Sequence, residues 1–155
     1  MTHTNQQALV QRIDSFDSAT MDWIPLAPGA WYKPVRFNED GTGWVSLVRL
    51  APGATVPRHR HAGAVQGFNL GGRGRFVEDN VVTTPGTFTF EPAGTTDTLV
   101  VEGDEDLVML FVVDGPVEYL TELGEVARRE TQATKQASYQ QHCESAQRPQ
   151  TALTR

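Results

Sequence analysis

The stretch that decides the fold runs from Gly53 to Gly74 and reads GATVPRHRHAGAVQGFNLGGRG. It contains His59 and His61, which are two residues apart in a segment rich in strand-forming residues. Because residues i and i+2 of a strand point to the same face, this spacing places both imidazoles together. Two imidazoles held by a stiff strand are typical of half a metal site. A surface pair that binds nothing is the alternative, since this spacing alone is a weak signal.

Turn residues bound the segment that carries the histidines. Pro52-Gly53 precedes it, small residues follow it at 62–64, and Gly71-Gly72 ends the next apolar run. Short apolar runs separated by Pro and Gly continue along the chain and indicate an antiparallel sandwich or barrel. The predicted strands lie near Trp31–Phe37, Gly43–Leu50, Val56–His61, Val65–Leu70, Gly74–Glu78, Thr87–Glu91, Thr96–Glu102, Leu107–Val113 and Val117–Leu120.

Two motifs resemble those of the cupin superfamily. The first is a glycine, five residues, the histidine pair and a later glycine turn, and it matches residues 53–72. The second is a Pro-Gly turn with a later ligand, and it matches TPGTFTFEPAGTTDTLVV, where the ligand position falls on Asp97. The resemblance implies an all-β fold, a single-domain cupin jelly-roll barrel. A C-terminal helix and flexible termini would complete the chain.

A narrower resemblance is to the 2,4'-dihydroxyacetophenone dioxygenase group of small cupins, with acetylacetone dioxygenase a more distant relative. It rests on DWIPLAPGAWYKPVRF, RLAPGATVPRHRHAGAVQGF and FEPAGTTDTLVV, and it covers about residues 22–120. That group uses a mononuclear iron held by three histidines. By position, two of them match His59 and His61, and the third falls on Asp97. A further histidine of the group falls on Gln66, and a glutamate near its site falls on Glu78.

The histidine count limits the ligand set. The sequence has four histidines, and two of them lie in the terminal segments. What remains for a site inside the barrel is His59, His61 and Asp97, which is the two-histidine, one-carboxylate set of non-haem Fe(II) enzymes. Gln66 would add a weak neutral ligand. We expect Fe(II); Zn, Mn or Ni would also suit these ligands, and a metal-free site stays open.

Strand parity predicts the rest of the cavity wall. The apolar residues expected to wall a substrate pocket are Phe68, Phe76 and Leu99. The polar residues expected to orient substrate or move protons are Glu78, Gln66 and Asp97. Each polar residue has a plain structural alternative: a hydrogen-bonding role for Gln66, a turn or surface carboxylate for Asp97, and a hairpin position for Glu78.

Three functions follow from these features. The first is a metal-dependent dioxygenase, an oxidoreductase that cleaves a C–C bond next to a carbonyl in a small hydroxyketone or diketone. The second is a non-oxidative cupin enzyme (isomerase, cyclase, dehydratase or decarboxylase) in which Asp97 or Glu78, its pKa raised by burial, acts as general base with or without a metal. The third is a small-ligand-binding or metal-binding module without turnover.

Length and net charge limit the classes of partner that the chain is expected to bind. A chain of 155 residues with a net charge of −6 predicts one domain and argues against nucleic acid and acidic membranes as partners. We expect a small-molecule substrate and a homodimer or homotetramer. The single cysteine excludes a disulfide framework within the chain, and no apolar run approaches the length of a membrane span, so we expect a cytoplasmic protein.

The two ends of the chain differ in composition from the barrel. We predict an N-terminal arm over residues 1–20, with a helical turn near 8–13, and the barrel over 21–122. Residues 123–155 are expected to form a helix over Glu125–Gln141, which has no Pro or Gly, and a tail that is disordered beyond Glu144. His142 and Cys143 are expected to be an incidental exposed pair; a reactive pair is the alternative.

Overall fold

The computed structural model describes residues 13–155. Within this range the chain forms a short 3-10 helix at Ser18–Thr20, twelve β-strands and one α-helix. The strands are β1 (Ile24–Ala27), β2 (Ala30–Phe37), β3 (Gly43–Leu50), β4 (Thr55–His61), β5 (Val65–Gly71), β6 (Arg73–Phe76), β7 (Val81–Thr83), β8 (Phe88–Glu91), β9 (Thr96–Glu102), β10 (Leu107–Asp114), β11 (Val117–Leu120) and β12 (Val126–Glu130). The helix is α1 (Gln132–Ser145).

The strands form two six-stranded antiparallel sheets. Sheet A has the order β1-β2-β3-β10-β5-β8, and sheet B has the order β12-β11-β4-β9-β6-β7. Their inner faces pack together, as in one core cluster where Leu50 and Met109 of sheet A meet Phe76 and Leu99 of sheet B. The predicted all-β architecture is therefore confirmed.

The predicted strands are all present, and the three that were missed lie at sheet edges. β3, β9 and β11 begin and end at the predicted residues. The missed strands are β1, β7 and β12, the edges of sheet A or sheet B. Edge strands tolerate proline and charge because one side of their backbone has no partner strand. Pro25 in β1 and the charged sequence of β12 therefore concealed both strands in the sequence.

The C-terminal helix begins later than predicted. Instead of a helix from Glu125, residues Val126–Glu130 form β12, which pairs with β11, and α1 begins at Gln132. Thr131 caps the helix: its side chain accepts from the Thr134 N–H, and the Thr134 hydroxyl accepts from the Thr131 N–H at 2.9 Å. Strand pairing at the sheet edge thus outweighs the good helix propensity of this segment.

The tail after α1 has defined contacts, in contrast to the predicted disorder. Leu153 is buried, and its carbonyl accepts from the Phe37 N–H at 2.9 Å. Thr154 forms a parallel bridge with Phe37, and the Thr151 N–H donates to the Tyr139 hydroxyl at 2.8 Å. The tail is held because one apolar side chain and several backbone groups find partners on β2 and α1.

The N-terminal arm is described from residue 13 onward. The predicted helical turn at 8–13 lies outside the described residues apart from Ile13, which is fully exposed. Asp17 caps the 3-10 helix by accepting from the Ala19 N–H at 2.9 Å. Among the helices of residues 13–155, none is long and apolar enough to cross a membrane.

Candidate metal centre

β4 shifts register just before it presents its two histidines. The ladder between β4 and β9 is irregular between Val56 and His59. Pro57 lies in this irregular stretch, where its missing N–H removes no regular ladder hydrogen bond. Beyond it, His59 and His61 are both buried, each only 6% exposed. On β9, Asp97 lies directly opposite His59 and is 3% exposed, so cross-strand pairing brings the carboxylate to the imidazole.

The ligand atoms of these three residues converge. His59 Nε2 lies 3.0 Å from His61 Nε2 and 2.7 Å from Asp97 Oδ1. The three residues each offer a ligand atom within 4.8 Å of the others. Two nitrogen ligands about 2.1 Å from one ion, at right angles to each other, lie about 3 Å apart. The separation of the two imidazoles therefore suits two adjacent ligands of a single metal ion.

The backbone determines which nitrogen of His59 faces the centre. His59 Nδ1 lies 2.7 Å from the Pro57 carbonyl oxygen, and we assign the ring N–H to that contact. Hydrogen bonding of the far nitrogen commonly orients a metal-ligating histidine. In this tautomer Nε2 points its lone pair at the Asp97 carboxylate. Two lone pairs this close repel each other unless a proton or a cation lies between them.

Burial and close contacts shift the pKa values of all three side chains. Burial alone would lower the pKa of His59, but the close contact and charge of Asp97 outweigh burial and raise it. Burial would raise the pKa of Asp97, but contacts with His59 and Glu91 and the histidine charges lower it. Burial, together with the charge of His59, lowers the pKa of His61 to about 4. His61 is therefore neutral at pH 7, and at the Nε2 of His59 a metal would compete with a proton, because Asp97 raises the pKa of that imidazole.

Three buried polar atoms of the centre lack a hydrogen-bond partner among the described residues. These atoms are His61 Nδ1, Glu91 Oε1 and Asp97 Oδ1, whose neighbour His59 Nε2 has no N–H to donate in this tautomer. An unpaired polar atom in a buried site is costly, by about 1–3 kcal/mol. A cation bound by the three ligand atoms would remove that cost at Asp97. The donor set, the tautomer of His59 and the orphaned carboxylate oxygen all fit a divalent metal.

Glu91 is a second buried carboxyl at the centre, and the sequence analysis missed it. Its Oε1 lies 3.6 Å from His61 Nε2, and its residue is 7% exposed. β8 places Glu91 opposite Val65 of β5. Burial, with the contact and charge of Asp97, raises the pKa of Glu91 to about 9. Glu91 is therefore a neutral acid at pH 7, and it has a proton to donate.

The centre lies in a cavity between the two sheets. The cavity has an empty volume of about 680 Å³, which includes its open mouth. Phe76 and Leu99, the predicted wall residues from β6 and β9, both line it. Tyr119 also lines it, with its ring centre 5.6 Å from that of His59. A mostly apolar cavity with a few convergent polar groups is typical of a small-molecule site.

Gln66 and Phe68 do not reach this cavity, so their predicted roles as ligand, catalytic group and pocket wall are wrong. Both lie on the exposed outer face of β5, and Phe68 is 41% exposed. The inner face instead holds Val65 and Gly67. Gly67 has no room for a side chain, because a Cβ there would lie 2.6 Å from Thr89 Oγ1. The parity prediction failed because the outward residues of β5 are more apolar than the inward ones.

Glu78 also lies outside the cavity, and its predicted catalytic role is wrong. It is exposed just after β6. Its Oε2 accepts from the Thr98 N–H at 2.6 Å, and its Oε1 accepts from the Thr98 hydroxyl at 2.7 Å. Thr98 alternates with Asp97 along β9 and faces outward. Glu78 therefore ties the end of β6 to the outer face of sheet B.

His142 and Cys143 take no part in the centre. Cys143 is buried in the core, at 4% exposure, and is not the exposed residue that was expected. His142 Nε2 lies 3.2 Å from Asp22 Oδ2, and Arg148 donates to Asp22 Oδ1 at 3.1 Å. These contacts fasten α1 to the segment that precedes β1.

A cupin is defined by two antiparallel sheets that enclose histidine and carboxylate side chains on their inner faces. The sequence matches the family model described as the ChrR cupin-like domain over residues 11–118, and the chain belongs to that family. The predicted membership of the cupin superfamily is thereby confirmed. No curated protein matches the sequence.

Solved structures support the same fold. An RmlC-like cupin protein from Ralstonia eutropha JMP134 is 22% identical, with a TM-score of 0.88 over 93% of this chain and 95% of that chain. An acetylacetone dioxygenase from Acinetobacter johnsonii is 15% identical, with a TM-score of 0.72 over 89% of this chain and 97% of that chain. The anti-sigma ChrR of Rhodobacter sphaeroides, in complex with SigE, is 22% identical, with a TM-score of 0.54 over 62% of this chain and 50% of that chain. At these identities the likeness establishes the jelly-roll fold.

Proposed function

We propose that the protein is a mononuclear non-haem iron dioxygenase that cleaves a C–C bond next to a carbonyl in a small hydroxyketone or β-diketone. The observation that carries the proposal is the convergence of His59 Nε2, His61 Nε2 and Asp97 Oδ1 on one point in an apolar cavity. This ligand set is that of non-haem Fe(II) oxygenases. The acetylacetone dioxygenase of similar fold adds support for the substrate class.

In this proposal His59, His61 and Asp97 would hold the iron. Iron would supply Lewis acidity and binding positions for a chelating substrate and for oxygen. With two neutral imidazoles and one carboxylate, an Fe(II) centre has a net charge of about +1, which favours an enolate over a neutral ketone. The apolar wall that includes Phe76 and Leu99 holds the carbon skeleton and excludes water.

Glu91 has a separate task in the same proposal. Because its carboxyl is protonated at pH 7, it is a hydrogen-bond donor beside the ionised carboxylate of Asp97. It would donate a hydrogen bond to the negatively charged oxygen of a substrate that binds as its enolate.

Oxygen uptake tests the proposal. The protein is treated anaerobically with Fe(II) and then supplied with oxygen and either acetylacetone or 2-hydroxyacetophenone. We expect consumption of one oxygen per substrate cleaved and loss of that consumption in His59→Ala/His61→Ala. His142→Ala is the matched control, since it removes a histidine from the α1 contact, and it should retain uptake. An iron-loaded protein that consumes no oxygen with either compound contradicts the proposal.

A second candidate is a non-oxidative cupin enzyme, and the raised pKa of Glu91 favours it. A buried carboxyl that titrates far above its usual range is suited to acid–base work on a substrate carbonyl. Glu91, which is protonated at pH 7, would here act as general acid, and the ionised Asp97 beside it would act as general base. Conversion of the same compounds under argon, with no oxygen consumed in air, distinguishes this reaction from the dioxygenase.

We also propose that a second copy of the chain covers the outer face of sheet A at its β8 edge, which gives the expected homodimer. Large apolar side chains are exposed there: Phe68 (41%), Leu70 (53%), Phe88 (59%) and Phe90 (59%). Exposed apolar patches at a free strand edge favour association. Light scattering should report a dimer, and Phe88→Ser/Phe90→Ser a monomer. Leu123→Ser, at an exposed turn, is the control, and a monomeric wild-type protein contradicts the proposal.

A further inference from the structure

Lys135 brings a buried ammonium group to the cavity that holds the metal centre. It lies in the first turns of α1, is 6% exposed, and lines the cavity. Its Nζ lies 3.2 Å from Glu130 Oε1 and 4.1 Å from the centre of the Tyr32 ring. A carboxylate and an aromatic face are the groups that stabilise a cation away from water. The site around Lys135 is therefore built to hold a charge at the cavity wall.

The contacts of Lys135 leave donor capacity for an occupant of the cavity. A lysine ammonium has three N–H donors and no acceptor. Glu130 takes up one of them, and the Tyr32 ring lies against one side of the group. A lysine that served only to pack α1 against β2 would be replaced at lower cost by an apolar residue of the same length.

Ser46 gives independent evidence for a polar ligand. It lies on the inner face of β3, is 2% exposed, and lines the same cavity. Its hydroxyl is buried and has no hydrogen-bond partner among the described residues. A buried hydroxyl without a partner is costly unless something in the cavity accepts its proton. The metal ligands lie on β4 and β9 of sheet B, so a metal bound to them does not explain the unpaired hydroxyl of Ser46 on sheet A.

We infer that Lys135, assisted by Ser46, binds a carboxylate of the substrate, so that the substrate is a keto or hydroxyketo acid. The inference rests on the proposed function, because it assigns the chemical class of the molecule that occupies that site. A carboxylate accepts both from the ammonium and from the hydroxyl, and it has no comparable partner on the apolar wall. Lys135 is then a substrate-binding residue that determines specificity.

Affinities for matched ligands test the inference. The probes are acetylacetone, which has no charge, and three diketo acids with increasing distance between the diketone and the carboxylate: 2,4-dioxopentanoate, 3,5-dioxohexanoate and 4,6-dioxoheptanoate. Binding is measured by calorimetry on Fe(II)-treated protein without oxygen. A charge-assisted hydrogen bond raises affinity by about tenfold or more. We therefore expect at least one diketo acid to bind at least tenfold more tightly than acetylacetone.

Substitution of Lys135 should abolish this preference. Lys135→Met/Glu130→Gln removes both charges of the pair, which avoids leaving a buried carboxylate unpaired and keeps the fold. Its acid-to-diketone affinity ratio should fall to about one, while acetylacetone binding changes by less than about twofold. Glu130→Gln alone retains the ammonium and should retain the preference. Lys33→Met is the matched control, because Lys33 is also buried but donates to the Ser18 carbonyl outside the cavity lining.

The outcomes separate this inference from the proposed function. The carboxylate inference is overturned if no diketo acid binds more tightly than acetylacetone, or if the preference survives Lys135→Met/Glu130→Gln. Either result overturns it even when the protein binds iron and consumes oxygen. A Lys135-dependent preference in a protein that binds no iron supports the carboxylate site and overturns the dioxygenase.

Discussion

The strand pairs β4–β9 and β5–β8 face the same cavity from opposite sheets, and they divide polar and apolar residues in opposite ways. In β4–β9 the polar ligands His59, His61 and Asp97 point inward. In β5–β8 the aromatic residues Phe68 and Phe90 point outward, and smaller or polar residues point inward. The difference shows that an inward face is defined by what the partner sheet and the cavity require, and not by hydrophobicity alone.

The largest effect is expected in β4. His59→Ala removes the ligand whose Nε2 lies within 3.0 Å of His61 Nε2 and 2.7 Å of Asp97 Oδ1. We expect the loss of oxygen uptake by a factor of about 10³ or more, since the remaining ligands do not define a mononuclear site. Circular dichroism should show an intact fold. Wild-type activity in this variant would contradict the site.

A smaller effect is expected from the polar residue of β8. Glu91→Gln keeps the shape of the side chain and a hydrogen-bond donor but removes the titratable proton. Groups that support metal ligands typically contribute about 10–100-fold to activity or metal affinity. We expect kcat to fall in this range while one iron per chain is retained. Unchanged kcat would remove Glu91 from the reaction.

The metal-free protein should lose stability as pH rises, because of the same residue. The pKa of Glu91 is raised to about 9, whereas an unfolded glutamate titrates near 4.5. Between these values the folded protein retains a proton that the unfolded chain has lost, so the free energy of unfolding falls with increasing pH. Urea denaturation at pH 5, 7 and 9 measures this slope. Glu91→Gln should flatten it, and an equal slope in both proteins would contradict the assignment.

The smallest effect is expected on the outer face of β5. Gln66→Ala alters an exposed side chain that does not line the cavity. Metal content and oxygen uptake should stay within about twofold of the wild-type values, as for most exposed substitutions. A loss comparable to that of Glu91→Gln would mean that β5 is rotated relative to the structure described above.

Local signals were sufficient to predict the central strands and the edge strand β8, whereas the edge strands β1, β7 and β12 were missed. Turn residues and alternation gave the bounds of β3 and β9. β12 was predicted as helix because its residues favour helix locally, whereas the strand depends on pairing with β11, which local propensity does not report. The Leu153 contact with Phe37, which orders the tail, is long-range in the same sense.

The residues of the candidate site also divide into those that the sequence predicted and those that it did not. The spacing of His59 and His61 fixes their common face, and Asp97 was reached through the resemblance of its motif to that of the cupins. Glu91 was missed because a lone glutamate at the end of a short strand has no local pattern that distinguishes a buried carboxyl from an exposed one. Its position depends on the pairing of β8 with β5, and its raised pKa depends first on burial and then on Asp97, which lies on the other sheet.

Metal content by elemental analysis tests the central claim most directly. The protein should be purified without a metal-binding tag, treated with Fe(II) without oxygen, and freed of unbound metal, beside Asp97→Asn and the control His142→Ala. We predict about one iron per chain in the wild-type protein and in His142→Ala, and a strongly reduced content in Asp97→Asn because the one anionic ligand is lost. No bound metal in the wild-type protein, or equal metal in Asp97→Asn, would contradict a centre formed by His59, His61 and Asp97.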